Sequence, residues 1–214
     1  MILRGDSMSN EKALVQQAKA GDRNAFAALV TAYESKIYNL ALRYLGNRED
    51  AMDASQEVFL RVFRFLPGFN EESGFSTWIY RIGVNVCKDM LTKRSRRNEQ
   101  SLEIPDEEDE TRQLEIADDR HDPQQLLEGA ELRQVLSDAI STLPEQQREM
   151  IVLRDIQGLT YDEIATVLSL EPGTVKSRLS RARENLRKKL LQNGNIFQLS
   201  ASKVTKGGKP DEIL

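Results

Sequence analysis

Apolar residues recur along most of this chain at three- and four-residue spacing, and no alternating run is bounded by hairpin turns. The first pattern marks one face of a helix and the second would mark a half-buried strand, so the chain is expected to be all-α. Leu14, Val15 and Ala18 form a short stripe that ends at Gly21-Asp22. Phe26, Leu29, Val30, Tyr33, Ile37, Leu40, Ala41, Tyr44 and Leu45 carry the next helix to a stop at Gly46-Asn47. A third runs from about Arg48 with Ala51, Ala54, Ser55, Val58, Phe59, Val62, Phe63 and Leu66 inward, until Pro67-Gly68. After the loop Phe69–Phe75, a fourth begins near Ser76 and turns Ile79, Ile82, Val86 and Met90 inward. It ends in the basic run Lys93-Arg94-Ser95-Arg96-Arg97.

The pattern then breaks. Between Glu99 and Glu131 stand thirteen acids and two arginines, a net of −11, with Pro105, Pro123 and few apolar residues. Such a segment cannot bury enough surface to offset its ordering entropy, so 98–123 is expected to be a flexible acidic linker. Periodicity resumes near Gln124 with Leu126, Leu127, Leu132, Val135, Leu136 and Ile140, and Leu143-Pro144 opens a further helix with Met150, Ile151 and Leu153. The expected organisation is therefore two small helical domains, 11–97 and 124–191, joined by the linker. Residues 192–214, with Gly194, Gly207, Gly208 and Pro210, read as a mobile extension.

Gly158 to Arg183 is the most informative stretch. Thr160 is a candidate N-cap with Glu163 in capping-box spacing, and Ile164, Ala165, Val167 and Leu168 give a two-turn helix its apolar side. Ser169, Leu170 and Glu171 form a turn, and Pro172, lacking an N–H, cannot continue a helix. Thr174 restarts one, with Val175, Leu179, Ala182 and Leu186 inward and Lys176, Ser177, Arg178, Ser180, Arg181 and Arg183 outward. A helix-turn-helix presents its recognition helix to the major groove in this way. Lys176, Ser177, Ser180 and Arg181 share one face suited to base edges, and Arg178 and Arg183 flank it in positions suited to phosphates. The plainer alternative is a two-helix corner with a solvated basic face. Charge weighs against it: residues 174–191 hold seven cations and one acid, a net of +6, in a chain whose net charge is −4. A helix so basic within an acidic protein attracts an anionic partner.

Composition excludes several other classes. Cys87 is the only cysteine and His121 the only histidine, which leaves no disulfide framework or Cys/His zinc site; no metal or other cofactor is expected. Cys87, in a helical pattern, reads as a structural thiol. Walker loops, G-x-G-x-x-G and G-x-S-x-G are absent, so neither enzymatic activity nor a small-molecule substrate is expected. No apolar run approaches the roughly 18–20 residues of a membrane span, and the first residues lack the apolar core of a signal peptide. A cytoplasmic protein without direct membrane insertion is expected, with Met1 or Met8 as its start.

The order of motifs resembles the sigma-70 family of bacterial RNA polymerase initiation factors, of the small extracytoplasmic-function (ECF) type. Gly21–Val30 (G-D-R-N-A-F-A-A-L-V) and Asp53–Phe59 (D-A-S-Q-E-V-F) resemble the opening parts of sigma region 2. Phe75–Asn85 (F-S-T-W-I-Y-R-I-G-V-N) is similar to its promoter-melting segment, and Leu143–Glu149 (L-P-E-Q-Q-R-E) with the helix-turn-helix resembles region 4. The resemblance covers about residues 11–190, and the acidic linker stands where primary sigma factors carry a long middle region.

What the resemblance implies is a division of labour. Asp53, Gln56, Glu57, Arg61 and Arg64 would dock on the clamp helices of the largest subunit of core RNA polymerase, while region 4 would meet the flap of the second subunit. Phe69, in a polar loop that suggests exposure, and Asn85 would hold a base extruded from the −10 element of promoter DNA. Arg81, Lys88, Lys93, Arg94, Arg96 and Arg97 would neutralise phosphates beside the aromatic rings of Trp78 and Tyr80. For Trp78 and Phe75 a place in the core is the better reading. Thr174, Lys176, Ser177, Arg178, Ser180, Arg181 and Arg183 would meet the upstream (−35) element. Control by an anti-sigma factor, often membrane-anchored, in a stress or envelope response is a further implication. From the residues themselves, a stand-alone helix-turn-helix regulator with an unrelated helical domain is the rival reading. A helical adaptor that binds only protein would leave the +6 helix unexplained.

Overall fold

The computed structural model describes the backbone of residues 4–100 and 135–192, and the side chains of residues 10–96 and 135–192. The acidic segment beyond Gln100, the leucines near Gln124, His121, the side chain of Arg97 and the tail beyond Gln192 lie outside the described residues. Among those residues every regular element is helical and none is a strand.

Four helices form the first unit: α1 (Arg4–Lys19), α2 (Arg23–Leu45), α3 (Arg48–Phe65) and α4 (Phe75–Gln100). Their ends follow local chemistry. Asp22 caps α2 by accepting from the backbone N–H groups of Asn24 (2.8 Å) and Ala25 (3.2 Å), and Asn47 caps α3 by accepting from Asp50 N–H at 2.8 Å. Such caps satisfy amides that a helix start leaves without partners. Gly46 closes α2 at φ 80, a left-handed conformation that glycine adopts without a Cβ penalty. Helix α2 lies against α1, α3 and α4, and Ile37, Leu40, Ala51, Ala54, Ile79 and Val84 are fully buried between them. One residue assigned inward departs from this. Phe63 is 63% exposed, because Ala51, Ala54, Val58 and Val62 already complete the inner stripe of α3; its ring lies edge-on to Phe26 at the rim, 5.1 Å between centroids.

The second unit comprises α5 (135–141), α6 (Glu145–Ile151), α7 (Tyr161–Leu168) and α8 (Pro172–Gln192). Helix α6 runs into a wider π turn, Val152–Ile156, which no periodicity signalled. Its N–H from Gln157 reaches Val152 O at 2.9 Å, and the extra residue swings Asp155 and Gln157 out toward neighbouring elements. Helix α8 starts at Pro172 and not at Thr174: a first-turn proline gives up an N–H that would have no helical partner anyway.

The two units share one continuous cluster of buried side chains. Helix α4 packs against α7, and α2 packs against α6 and the π turn. Hydrophobic spacing predicted both units but not their contact.

The tightest approach lies inside the first unit. A Cβ added at Gly83 would sit 2.8 Å from Leu40 Cδ2, 3.7 Å from Ile37 Cδ1 and 4.0 Å from Val58 Cγ2, and Leu40 is fully buried with no room to retreat. Gly83→Val is therefore expected to lower stability by about 1–3 kcal/mol through overpacking. Gly68→Ala, where nothing lies within 4 Å, should be near neutral. Urea denaturation of both variants tests this, and equal stabilities would show that the α2–α4 contact yields freely.

Candidate nucleic-acid interface

The helix-turn-helix is built as its local sequence dictates. Thr160 N–H donates to Glu163 Oε2 at 2.7 Å and Glu163 N–H to Thr160 Oγ1 at 3.3 Å, a reciprocal capping box that starts α7. Ser169 ends it in the left-handed region at φ 53, and Leu170 N–H returns to Ala165 O at 2.9 Å. Within α8, Val175, Leu179 and Ala182 are buried, and Lys176, Ser177, Ser180, Arg181 and Arg183 are exposed. Thr174 and Arg178 are half-buried. Asn185 fixes α8 to α6 by donating to Gln147 Oε1 at 2.8 Å.

Arg183 is already engaged. Its Nε lies 3.1 Å from Asp155 Oδ2 on the π turn, and that hydrogen bond raises the pKa of the guanidinium above its ordinary value. This cation therefore ties α8 to its own domain, while Lys176 and Arg181 remain open on the outer face. Arg154 stabilises the same corner, donating to Leu159 O at 2.6 Å and lying 5.0 Å from the Tyr161 ring centre.

The loop before α4 corrects one expectation. Phe69 is not an exposed loop residue; it is 5% exposed. Its ring stacks on half-buried Trp78 at 4.7 Å and meets Phe75 edge-on at 6.1 Å. The loop folds back because Lys19 Nζ donates to Phe69 O at 2.6 Å and pairs with Glu71 at 3.3 Å. Gln16 also donates to Glu71, which sits in the left-handed region at φ 60. A cavity of about 260 Å³ remains between α1 and this loop, with Lys12, Phe69, Phe75 and the carboxylates of Glu11, Glu71 and Glu72 among its walls.

Along α4, Arg81 and Asn85 are exposed and lie one turn apart, and Lys93, Arg94 and Arg96 continue the exposed basic run. Arg94 lies 3.9 Å from Asp50. Tyr80 and Lys88 are not available in the same way. Tyr80 is 4% exposed and its hydroxyl donates to Gln157 Oε1 of the second unit at 2.8 Å. Burial pushes that phenol up to about 12. Lys88 pairs at 2.8 Å with Glu149, whose carboxyl is raised by burial against the opposing pull of Lys88. Neither Glu149 nor Gln157 was singled out by sequence; both look like ordinary polar residues of an amphipathic helix and its turn. Cys87 is buried, with its thiol pushed up to about 12 by desolvation, so it is a packing residue.

On α3, Asp53, Gln56 and Arg64 are exposed, while Glu57 and Arg61 are half-exposed and pair at 2.7 Å, with Asp89 3.2 Å from Arg61. Sequence reasoning missed the apolar part of this surface: Met52, Leu60 and Phe63 are 57%, 63% and 63% exposed. Large apolar side chains exposed on one helix face are a common feature of interaction surfaces.

Family comparison agrees with this geometry. Residues 29–97 match the model of Sigma-70 region 2, and residues 133–186 that of Sigma-70, region 4. The chain is 38% identical over 183 residues to the ECF RNA polymerase sigma-E factor of Haemophilus influenzae, covering 84% of this chain and 95% of that one. It is 36% identical over 184 residues to the RNA polymerase sigma-H factor of Pseudomonas aeruginosa, covering 86% and 95%. Among solved structures, CnrH in complex with the cytosolic domain of CnrY aligns with a TM-score of 0.61 at 25% identity, over 85% of this chain and 97% of that one. The sigma factor RpoE of Bartonella quintana, in complex with the anti-sigma factor NepR, shares the fold with a TM-score of 0.63 at 23% identity, over 77% and 96%.

The burial of Phe69 separates packing from recognition. Phe69→Ala is expected to cost about 3–5 kcal/mol of stability, as loss of a core aromatic does, whereas exposed Asn85→Ala should stay within about 0.5 kcal/mol of wild type. Equal and small effects in a denaturant titration would contradict the stacked arrangement of Phe69 and Trp78.

Proposed function

Since this chain belongs to the extracytoplasmic-function type of the sigma-70 family of RNA polymerase sigma factors, we propose that its two helical units divide promoter recognition between them. Sigma factors are DNA-binding regulators of transcription initiation and not enzymes. Region 4 reads the −35 element as duplex through the outer face of α8. Region 2 opens the −10 element and holds the displaced strand along α4. The observation that carries this reading is the exposed set Lys176, Ser177, Ser180 and Arg181 on a capped helix-turn-helix whose inner Val175, Leu179 and Ala182 are buried.

In region 2, Arg81 and Asn85 stand ready for a strand, with Lys93, Arg94 and Arg96 beyond them for its phosphates. Phe69 acts from beneath: it supports Trp78 and forms one wall of the cavity beside Glu71 and Glu72, whose carboxylates can accept from the amino group of an extruded base. Flipping a base costs a few kcal/mol of unstacking. The α3 surface docks on core polymerase, with Leu60 and Phe63 as apolar anchors and Asp53, Gln56 and Arg64 as its polar rim, the anatomy expected of a protein interface. The likeness to a sigma factor solved with an anti-sigma factor supports control by such a partner. The chain acts in the cytoplasm, where polymerase and promoter are, with no cofactor of its own; no helix among the described residues is long and apolar enough to cross a membrane.

Run-off transcription with core polymerase and a single-base promoter library tests the reading. Wild type should direct transcripts from a restricted set of promoters, and Arg181→Ala should lose about 1–3 kcal/mol of binding and relax preference at one or two base pairs, as loss of a bidentate guanine contact does. No polymerase-dependent transcript from any promoter would overturn the assignment.

The docking surface has its own test. Leu60→Ala with Phe63→Ala should leave thermal stability nearly unchanged, because both side chains are mostly exposed. Affinity for core polymerase should fall at least about tenfold, as loss of apolar anchors at an interface does. Unchanged affinity in a core-polymerase titration would remove this face from the interface.

A further inference from the structure

Arg183 stands at the edge of the reading face of α8, one turn on from Ser180 and two turns on from Lys176, since residues three, four and seven apart line one side of a helix. That position suits a phosphate, yet the guanidinium is held by a carboxylate from another element. Its Nε lies 3.1 Å from Asp155 Oδ2, and its Nη2 donates to Asp155 Oδ1 as well. Two parallel N–H···O bonds fix both partners in a way that a single contact between mobile side chains does not. The other ion pairs along α8 are looser: Arg187 lies 4.0 Å and Lys188 3.7 Å from Glu184, and exposed pairs of that kind hold neither partner firmly.

The pair is no by-product of helical spacing. Asp155 comes from the π turn Val152–Ile156 and stands 28 residues from Arg183 in the chain. Nor does α8 depend on it for its seat, because Val175, Leu179 and Ala182 are buried beneath the helix and Asn185 ties it to Gln147 of α6. Both partners stay partly open to solvent, the Arg183 side chain 49% and that of Asp155 36% exposed. A carboxylate there has the wrong sign for a DNA-binding face. It cancels a cation at the rim and repels the phosphate that the cation would otherwise meet. Phosphate contacts supply the sequence-independent part of duplex binding, and base contacts supply the reading.

We propose that Asp155 is a built-in counter-charge to the DNA-binding face: by holding Arg183 it withholds one phosphate contact and lowers the affinity of region 4 for duplex DNA of any sequence. This rests on the reading of α8 as the helix that meets duplex DNA. The base-facing set Lys176, Ser177, Ser180 and Arg181 is left as it was.

The test titrates the full chain against a fluorescein-labelled duplex of mixed sequence over a range of salt concentrations. Asp155→Asn should bind more tightly than wild type, and its plot of log affinity against log salt should be steeper by about 0.9, the increment of one further phosphate. The gain should therefore shrink about three- to fourfold between about 50 and 200 mM salt. Asp155→Ala is measured beside it, so that misfolding of one variant leaves the other decisive. In an Arg183→Gln background the Asp155→Asn change should lose most of its gain, because no guanidinium is left to release. An equal gain in both backgrounds would reduce Asp155 to a repelling charge and overturn the withholding of Arg183. Weaker binding in both Asp155 variants would make the pair a structural brace and overturn the proposal. Lys176→Gln separates the proposal from the reading beneath it. If Lys176→Gln weakens binding and flattens the salt dependence while both Asp155 variants match wild type, the counter-charge alone falls. If Lys176→Gln is without effect as well, the assignment of α8 falls with it.

Discussion

Everything in this molecule is arranged around the two sides of α4. Its inner side, with Ile79, Gly83 and Val86, is locked into α2 and α3 at a distance that tolerates no added methyl group at Gly83. Its other side carries Tyr80 and Lys88, and these meet the second unit. The energetics of the two sides differ in kind. The inner side is apolar and close-packed, so separating it costs the full transfer and cavity terms. The outer side adds one ion pair and a hydrogen bond to apolar packing that continues into the second unit. The first contact makes a domain; the second joins two.

How far the sequence carried this account depended on whether a feature was local. Helices α1 to α4 and α6 to α8 follow from three-and-four spacing, because helix formation is decided by residues within a turn or two of one another. Thr160 and Glu163 announced the capping box, and Val175, Leu179 and Ala182 the buried side of the recognition helix, for the same reason. Phe69 did not follow. Its neighbours Asn70, Glu71, Glu72, Ser73 and Gly74 suggest exposure, and only Lys19 and Gln16, far away on α1, draw the loop down. Phe63 was misplaced because periodicity locates an apolar stripe without fixing its width. The meeting of the units was least legible: Glu149 within L-P-E-Q-Q-R-E looks like any solvated helical acid until Lys88 arrives from the other domain. The π turn, which aims Asp155 and Gln157, leaves no periodic trace.

Hydrogen–deuterium exchange of the full chain, alone and bound to core polymerase, addresses the central claim that α4 joins the two units and leaves α3 to a protein partner. The account predicts slow exchange at Tyr80–Met90 and at residues 149–157 in the free chain. On adding polymerase, Met52–Phe63 on α3 should slow. Fast exchange across the α4 and α6 segments in the free chain, or no slowing on α3 when polymerase binds, would contradict it.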